Sequence, residues 1–209
     1  MTEVRLESPN YWAEGKAYLR AVDARLAQVI DQYEEPPLRS KRRPFETLCN
    51  AIVGQQISAV AAAAVWDRAS NVVGQWTPAH ILEVSPATLK EVGLSRRKVE
   101  YLMGVAAAWS ALPHDEFAAM SDDELRARLC ELRGVGPWSA NMLLLFSYLR
   151  PDVFPIKDIG VIRAMERLYD LPRNVDREQL VEIAAIWRPF RSVATWYLWR
   201  LIDSEPVLY

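Results

Sequence analysis

Residues Leu132 to Asp158 read Leu-Arg-Gly-Val-Gly-Pro-Trp-Ser-Ala-Asn-Met-Leu-Leu-Leu-Phe-Ser-Tyr-Leu-Arg-Pro-Asp-Val-Phe-Pro-Ile-Lys-Asp. Gly134-Val135-Gly136 predicts a tight turn, because glycine tolerates positive φ and lets another backbone approach. Pro137 suits the first position of a following helix, where its missing N–H costs nothing. The N–H groups of Gly134, Gly136, Trp138 and Ser139 are then expected to point outward without partners inside the helix. A helix start of this kind attracts phosphate. Contacts of this type hold a nucleic-acid backbone without reading its sequence. An apolar helix follows, and then Asp158 stands where the next helix begins. Taken alone, Asp158 reads as a helix N-cap that accepts N–H bonds from the first turn. That role leaves room for a chemical one.

Working outward, helical periodicity dominates and alternating strand patterns are nearly absent. Trp12–Tyr33 reads as one helix ended by Pro36-Pro37, with Tyr18, Val22, Leu26 and Val29 on one face. Phe45–Ser70 reads as a long Ala-rich helix or a broken pair. Shorter helices are expected at 77–84 and 86–91, then at 95–111, 121–132, 138–149, 159–169, 177–187 and 189–202. Ser121 and Glu124 have capping-box spacing. The fold class expected is all-α, with two helical lobes. One is a terminal lobe of residues 1–37 and 158–209. The other is a central lobe of 38–157 that contains the hairpin at 130–145.

The chain has 209 residues, 51% of them hydrophobic, enough for a sizeable core. A net charge of −2 argues against a protein coated in positive charge for nucleic acid, though a contacting face needs only local basic clusters. Cys49 and Cys130 are the only cysteines, too few to ligate zinc or an iron–sulfur cluster by four thiolates. Neither group is expected. The start of the chain shows no signal-peptide pattern, and the apolar runs are too short to span a bilayer. A cytoplasmic protein with no membrane partner is the expectation.

The ordered string from Leu132 to Ala140, with Asp152-Val-Phe-Pro155 ahead of Asp158, resembles the helix-hairpin-helix/Gly-Pro-Asp superfamily of DNA glycosylases. Three further segments resemble its 3-methyladenine DNA glycosylase II (AlkA-type) branch. They are Ala51-Ile-Val-Gly-Gln-Gln-Ile-Ser58, Gly93-Leu-Ser-Arg-Arg-Lys98, and Trp187-Arg-Pro-Phe-Arg-Ser-Val-Ala194 leading to Trp199. The resemblance covers about residues 40–202. Residues before it read as helical, so the extra N-terminal β-domain of some relatives is expected to be absent.

The resemblance implies a DNA-binding cleft between the two lobes. It implies a monomeric enzyme of base excision repair that flips alkylated purines out of double-stranded DNA and hydrolyses them away. Asp158 matches the catalytic aspartate. Trp138 falls where bifunctional relatives carry a Schiff-base lysine, which implies base removal without strand cleavage. Trp138, Met142 and Trp199 match base-pocket positions, Met142 standing where a close relative has tyrosine. Gln56 matches the residue that fills the gap left by a flipped nucleotide. Gly134, Gly136, Trp138 and Ser139 match the phosphate grip, and Arg96, Arg97 and Lys98 lie in a family-like segment suited to flanking phosphates. The carbonyls of Cys130, Leu132 and Val135 match a site for Na+ or K+; no other cofactor is implied. Two alternatives stay open. One is a glycosylase of the same fold for hypoxanthine, ethenoadenine, uracil or an oxidised base. The other is a non-catalytic binder of DNA structure.

Overall fold

The computed structural model describes residues 6–33 and 37–202. Among them every regular element is a helix, and the sole β feature is an isolated antiparallel bridge between Glu7 and Ser40. The described residues divide into two compact units: one of residues 6–33, 37–42 and 149–202, the other of residues 43–148.

The first unit contains α1 (Trp12–Val22), α2 (Ala24–Gln32), α11 (Ile159–Leu168), α12 (Arg177–Ala185) and α13 (Arg191–Ile202). The periodicity that suggested one helix over 12–33 runs through a break at Asp23, whose φ of −143° and ψ of 100° are extended. Its carboxylate accepts the N–H groups of Arg25 and Leu26 and starts α2. The apolar stripe continues across the break, so the stripe alone conceals it. The proposed stop at Pro36 lies outside the described residues.

Asp23 is 7% exposed and anchors this unit's core. Besides capping α2, its Oδ2 accepts the Trp187 indole N–H at 2.8 Å and the Tyr169 hydroxyl at 2.5 Å. Burial, reinforced by this bond to a carboxylate, pushes the Tyr169 phenol well above its ordinary range. A folded-state pKa raised in this way gives stability that is whole below the unfolded phenol value of about 10 and is lost as the pH climbs beyond it. Tyr169→Phe should therefore cost about 1–3 kcal/mol at neutral pH, since Asp23 loses a donor. It should also flatten the alkaline limb of stability. Urea midpoints measured from about pH 8 to pH 11 check both.

The second unit contains α3 (Pro44–Gly54), α4 (Ala59–Val73), α5 (Pro78–Glu83), α6 (Pro86–Glu91), α7 (Arg96–Trp109), α8 (His114–Phe117), α9 (Asp122–Cys130) and α10 (Pro137–Phe146). The Ala-rich stretch is a broken pair, interrupted by the loop of residues 55–58. Capping serines and threonines set the helix starts: Ser58, Thr77, Ser85 and Ser95 each accept an N–H from the first turn. Ser121 and Glu124 form the expected reciprocal capping box. Every residue of α10 from Ser139 to Phe146 is buried, which makes it the central helix of the unit.

The units meet in sequence at Arg42/Arg43 and Tyr148/Leu149, whereas the sequence reading placed the junctions at 37/38 and 157/158. The reason for the second shift is local. Residues 150–153 are tied to the start of α13: Ser192 N–H donates to the Pro151 carbonyl at 3.0 Å, and its hydroxyl donates to the Arg150 carbonyl at 2.6 Å. Arg191 makes a two-pronged pair with Asp152 at 2.6 and 2.8 Å.

Trp12, Trp76, Trp109, Trp187 and Trp196 are buried in the cores of their units. Trp66 is only half-buried, stacked face to face on Trp76 with centroids 4.0 Å apart.

Candidate functional site

In the second unit, α9 ends at Cys130 and the turn Glu131–Gly136 leads into α10. Gly134 has φ +93°, and a Cβ there would fall inside the Tyr101 ring. Both facts restrict the position to glycine. Gly136 has φ −101° and ψ 177° and caps α10 without a side chain. Pro137 is the first residue of α10. The first bond into the helix runs from Ala140 N–H to the Gly136 carbonyl at 3.0 Å. Among the described residues, the N–H groups of Gly134, Gly136 and Ser139 donate to nothing. The hairpin thus presents the N–H groups of Gly134, Gly136 and Ser139, three of the four named from sequence, at a helix start.

The Ser139 hydroxyl is a different matter. Ser139 is 1% exposed, and its Oγ accepts the Gln55 side-chain Nε2 at 2.8 Å. The same Nε2 donates to the Gly134 carbonyl at 2.9 Å. Only the backbone N–H of Ser139 is therefore placed to meet a phosphate. No local sequence pattern reveals that Gln55 has a partner in the hairpin.

Gln56 follows at the loop tip between α3 and α4, exposed and with φ +60°. Non-glycine residues adopt this left-handed conformation rarely. Nearby, Lys98 Nζ donates to the Val53 carbonyl at 2.6 Å, tying the start of α7 to the end of α3. Burial lowers the pKa of its ammonium. Arg96 pairs with Glu100 at 3.0 Å, and Arg133 approaches the same carboxylate at 3.4 Å. Of the basic cluster, Arg97 is the residue with no partner among the described ones. Trp138 is half-buried in the first turn of α10, while Met142, one turn on, is only 1% exposed.

In the first unit, Asp158 is the N-cap of α11, at φ −75° and ψ 122°. Its Oδ1 accepts the Val161 N–H at 2.9 Å and the Trp199 indole Nε1–H at 3.1 Å. Its own N–H donates to the Pro155 carbonyl at 2.8 Å. Trp199, on α13 and 7% exposed, was expected as a pocket wall; it is also a direct partner of the carboxylate. Gly160 makes this arrangement possible. A Cβ there would lie 3.1 Å from Asp158 Oδ1 and 3.4 Å from the Trp199 ring. The Asp-x-Gly spacing is the one sequence signal that could have pointed to this crowding. The carboxylate is thus held at a helix N-terminus by two donors from different elements, a fixed anionic point suited to stabilising developing positive charge.

Similar proteins share this architecture. DNA-3-methyladenine glycosylase 1 of Schizosaccharomyces pombe is 32% identical over 182 residues, spanning 84% of this chain and 80% of that protein. The DNA-3-methyladenine glycosylase of Bacillus subtilis is 29% identical over 172 residues, and the match spans 57% of its length. Among solved structures, the S. pombe 3-methyladenine DNA glycosylase in complex with abasic DNA superposes with a TM-score of 0.82 at 29% identity, covering 90% of this chain and 95% of that one. The Bacillus halodurans DNA-3-methyladenine glycosidase gives 0.73 at 32% identity, covering 94% and 91%. The model of the HhH-GPD superfamily of base excision DNA repair proteins matches residues 49–189, and the chain belongs to that superfamily.

Proposed function

We propose that this chain is a monofunctional DNA glycosylase that removes alkylated purines of the 3-methyladenine and 7-methylguanine type from double-stranded DNA. The observation that carries this reading is the fixed carboxylate of Asp158, in a chain whose resemblance to the family puts Trp138 where bifunctional relatives carry a Schiff-base lysine. The names of the relatives support the substrate class.

A base stacked in a duplex is out of reach, so the nucleotide is flipped out, at a cost of a few kcal/mol that is smaller at a damaged pair. The donors of Gly134, Gly136, Trp138 and Ser139 grip phosphate while Gln56 occupies the vacated space. Arg97 is the member of its cluster best placed to add a phosphate contact, since Arg96 and Lys98 are engaged within the protein. An N-alkylated purine carries positive charge and leaves with the electron pair of the glycosidic bond, needing little help from an acid. Trp138, at the first turn of α10 beside the hairpin, offers an aromatic face to such an electron-poor base.

Positive charge then develops on the deoxyribose. Asp158 stabilises it and orients the water whose oxygen bonds to the anomeric carbon and whose proton is released. Trp199 and the Val161 N–H hold the carboxylate in place throughout. The carbonyls of Cys130, Leu132 and Val135 would hold a monovalent cation that neutralises phosphate charge beside the hairpin. The Leu132 carbonyl already accepts the Val135 N–H at 3.0 Å, which leaves its second lone pair for the ion.

Tryptophan has no amine with which to attack the sugar. Borohydride added during turnover should therefore trap no covalent protein–DNA adduct, and the nicked product should appear only after alkali. An adduct on a denaturing gel would replace the monofunctional assignment with a lyase. An excision profile over alkylated, deaminated and oxidised lesions tests the substrate class. Release confined to non-alkylated bases would move the enzyme to another lesion.

A further inference from the structure

The side chain of Gln55 makes two bonds, both to the hairpin. A backbone carbonyl can only accept, so the Gly134 oxygen fixes which end of the carboxamide faces the hairpin, and the second N–H of Nε2 then reaches Ser139 Oγ. Gln55 is half-buried, Ser139 is buried, and the next residue along the chain is the exposed Gln56 in its left-handed conformation. The loop has a second tie at its root, where Lys98 Nζ meets the Val53 carbonyl at 2.6 Å.

We propose that Gln55 is a positioning residue that locks the Gln56 loop to the phosphate-gripping hairpin, so that the gap-filling side chain is set in register with the gripped backbone. This rests on the reading of Gln56 as the gap-filling residue. The inference follows from where the donors go. A polar side chain whose two amide hydrogens both serve the hairpin is spent on holding two loops together, not on contacting solvent or DNA. The partners are also the two atoms that the hairpin can spare. The Gly134 carbonyl is an acceptor whose use leaves the hairpin N–H groups untouched, and the buried Ser139 hydroxyl leaves the Ser139 N–H for phosphate. With the latch in place, gripping the phosphates places Gln56 at a fixed offset along the strand. Without it, the loop keeps the Ser58 cap of α4 and the Lys98 tie at its root but loses this side-chain link to the hairpin, and the left-handed residue is free to relax.

The test uses a duplex with a tetrahydrofuran abasic-site analogue opposite 2-aminopurine, so that fluorescence reports filling of the gap without any base release. The wild type should change the signal on binding. Gln55→Ala should need about tenfold more protein for the same change, the loss of a hydrogen bond to a part-buried partner being on that scale. Gln56→Ala should abolish most of the change. The double variant should be no worse than Gln56→Ala, because residues acting as a unit are not additive. Ser139→Ala, which removes one acceptor and keeps the Ser139 N–H, should reproduce a weaker form of the Gln55→Ala defect; it serves as the variant of record if Gln55→Ala fails to fold. Normal gap filling by Gln55→Ala or by Ser139→Ala at unchanged melting temperature overturns the proposal, as does a double variant with fully additive losses. A wild type that leaves the fluorescence unchanged removes Gln56 from the gap, and the latch with it. A wild type that fills the gap yet releases no base would contradict the glycosylase reading and leave the latch standing.

Discussion

Asp158→Asn should lower base release by about 10²–10³-fold while leaving the fold and DNA binding intact. Asparagine is as good an N-cap as aspartate, so α11 keeps its start. The carboxamide oxygen can still accept from Val161 N–H and from Trp199 Nε1, the two donors that Oδ1 serves. What disappears is the negative charge proposed to face the sugar. Asp158→Ala differs in kind. It removes the cap as well, at about 0.5–2 kcal/mol, and strips the Trp199 indole of its acceptor. Single-turnover base release, read beside melting temperature and duplex affinity, separates the two. A wild-type rate in Asp158→Asn would take the carboxylate out of the chemistry and leave it as a cap.

Gly134→Ala should be the most damaging small substitution in the hairpin. Its φ of +93° costs a non-glycine residue about 1–3 kcal/mol. The added methyl collides with Cβ, Cγ and Cδ2 of Tyr101, and forced overpacking of this sort costs about 1–3 kcal/mol more. For a chain of this length, the combined loss should lower the melting temperature by about 5–20 °C. Gly136→Ala provides the contrast. Its backbone is one that any residue adopts, and no atom lies within 4 Å of the Cβ it would acquire. It should fold normally, yet bind duplex DNA about tenfold more weakly, because the methyl would stand in the proposed path of a phosphate to the N–H row. Thermal melting and a binding titration on the two variants resolve a structural glycine from an interface one. Equal melting temperatures would show that the hairpin yields around Tyr101.

The parts of the molecule legible in sequence were those encoded by neighbours. Gly134, Gly136 and Pro137 state their turn and helix start within four residues, and Asp158 states its cap by standing before Ile159. The break at Asp23 was missed because apolar residues keep their spacing across it, although aspartate before an alanine-led helix is itself a start signal. What stayed hidden was tertiary. Trp199 reaches Asp158 across 41 residues and Gln55 reaches Gly134 across 79, and no periodicity links positions so far apart. Family likeness placed Trp199 near the site, but not its indole on the carboxylate. The basic run Arg96-Arg97-Lys98 looked uniform as a string; folding gives Arg96 to Glu100 and Lys98 to the Val53 carbonyl.

Duplex DNA methylated to carry 3-methyladenine and 7-methylguanine, incubated with wild type and with Asp158→Asn, tests the central claim most directly. The account predicts free alkylpurine from the wild type, a strand that stays whole until alkali is added, and release reduced by about 10²–10³-fold in the variant. No alkylpurine released by the wild type, or equal release by both proteins, would contradict it.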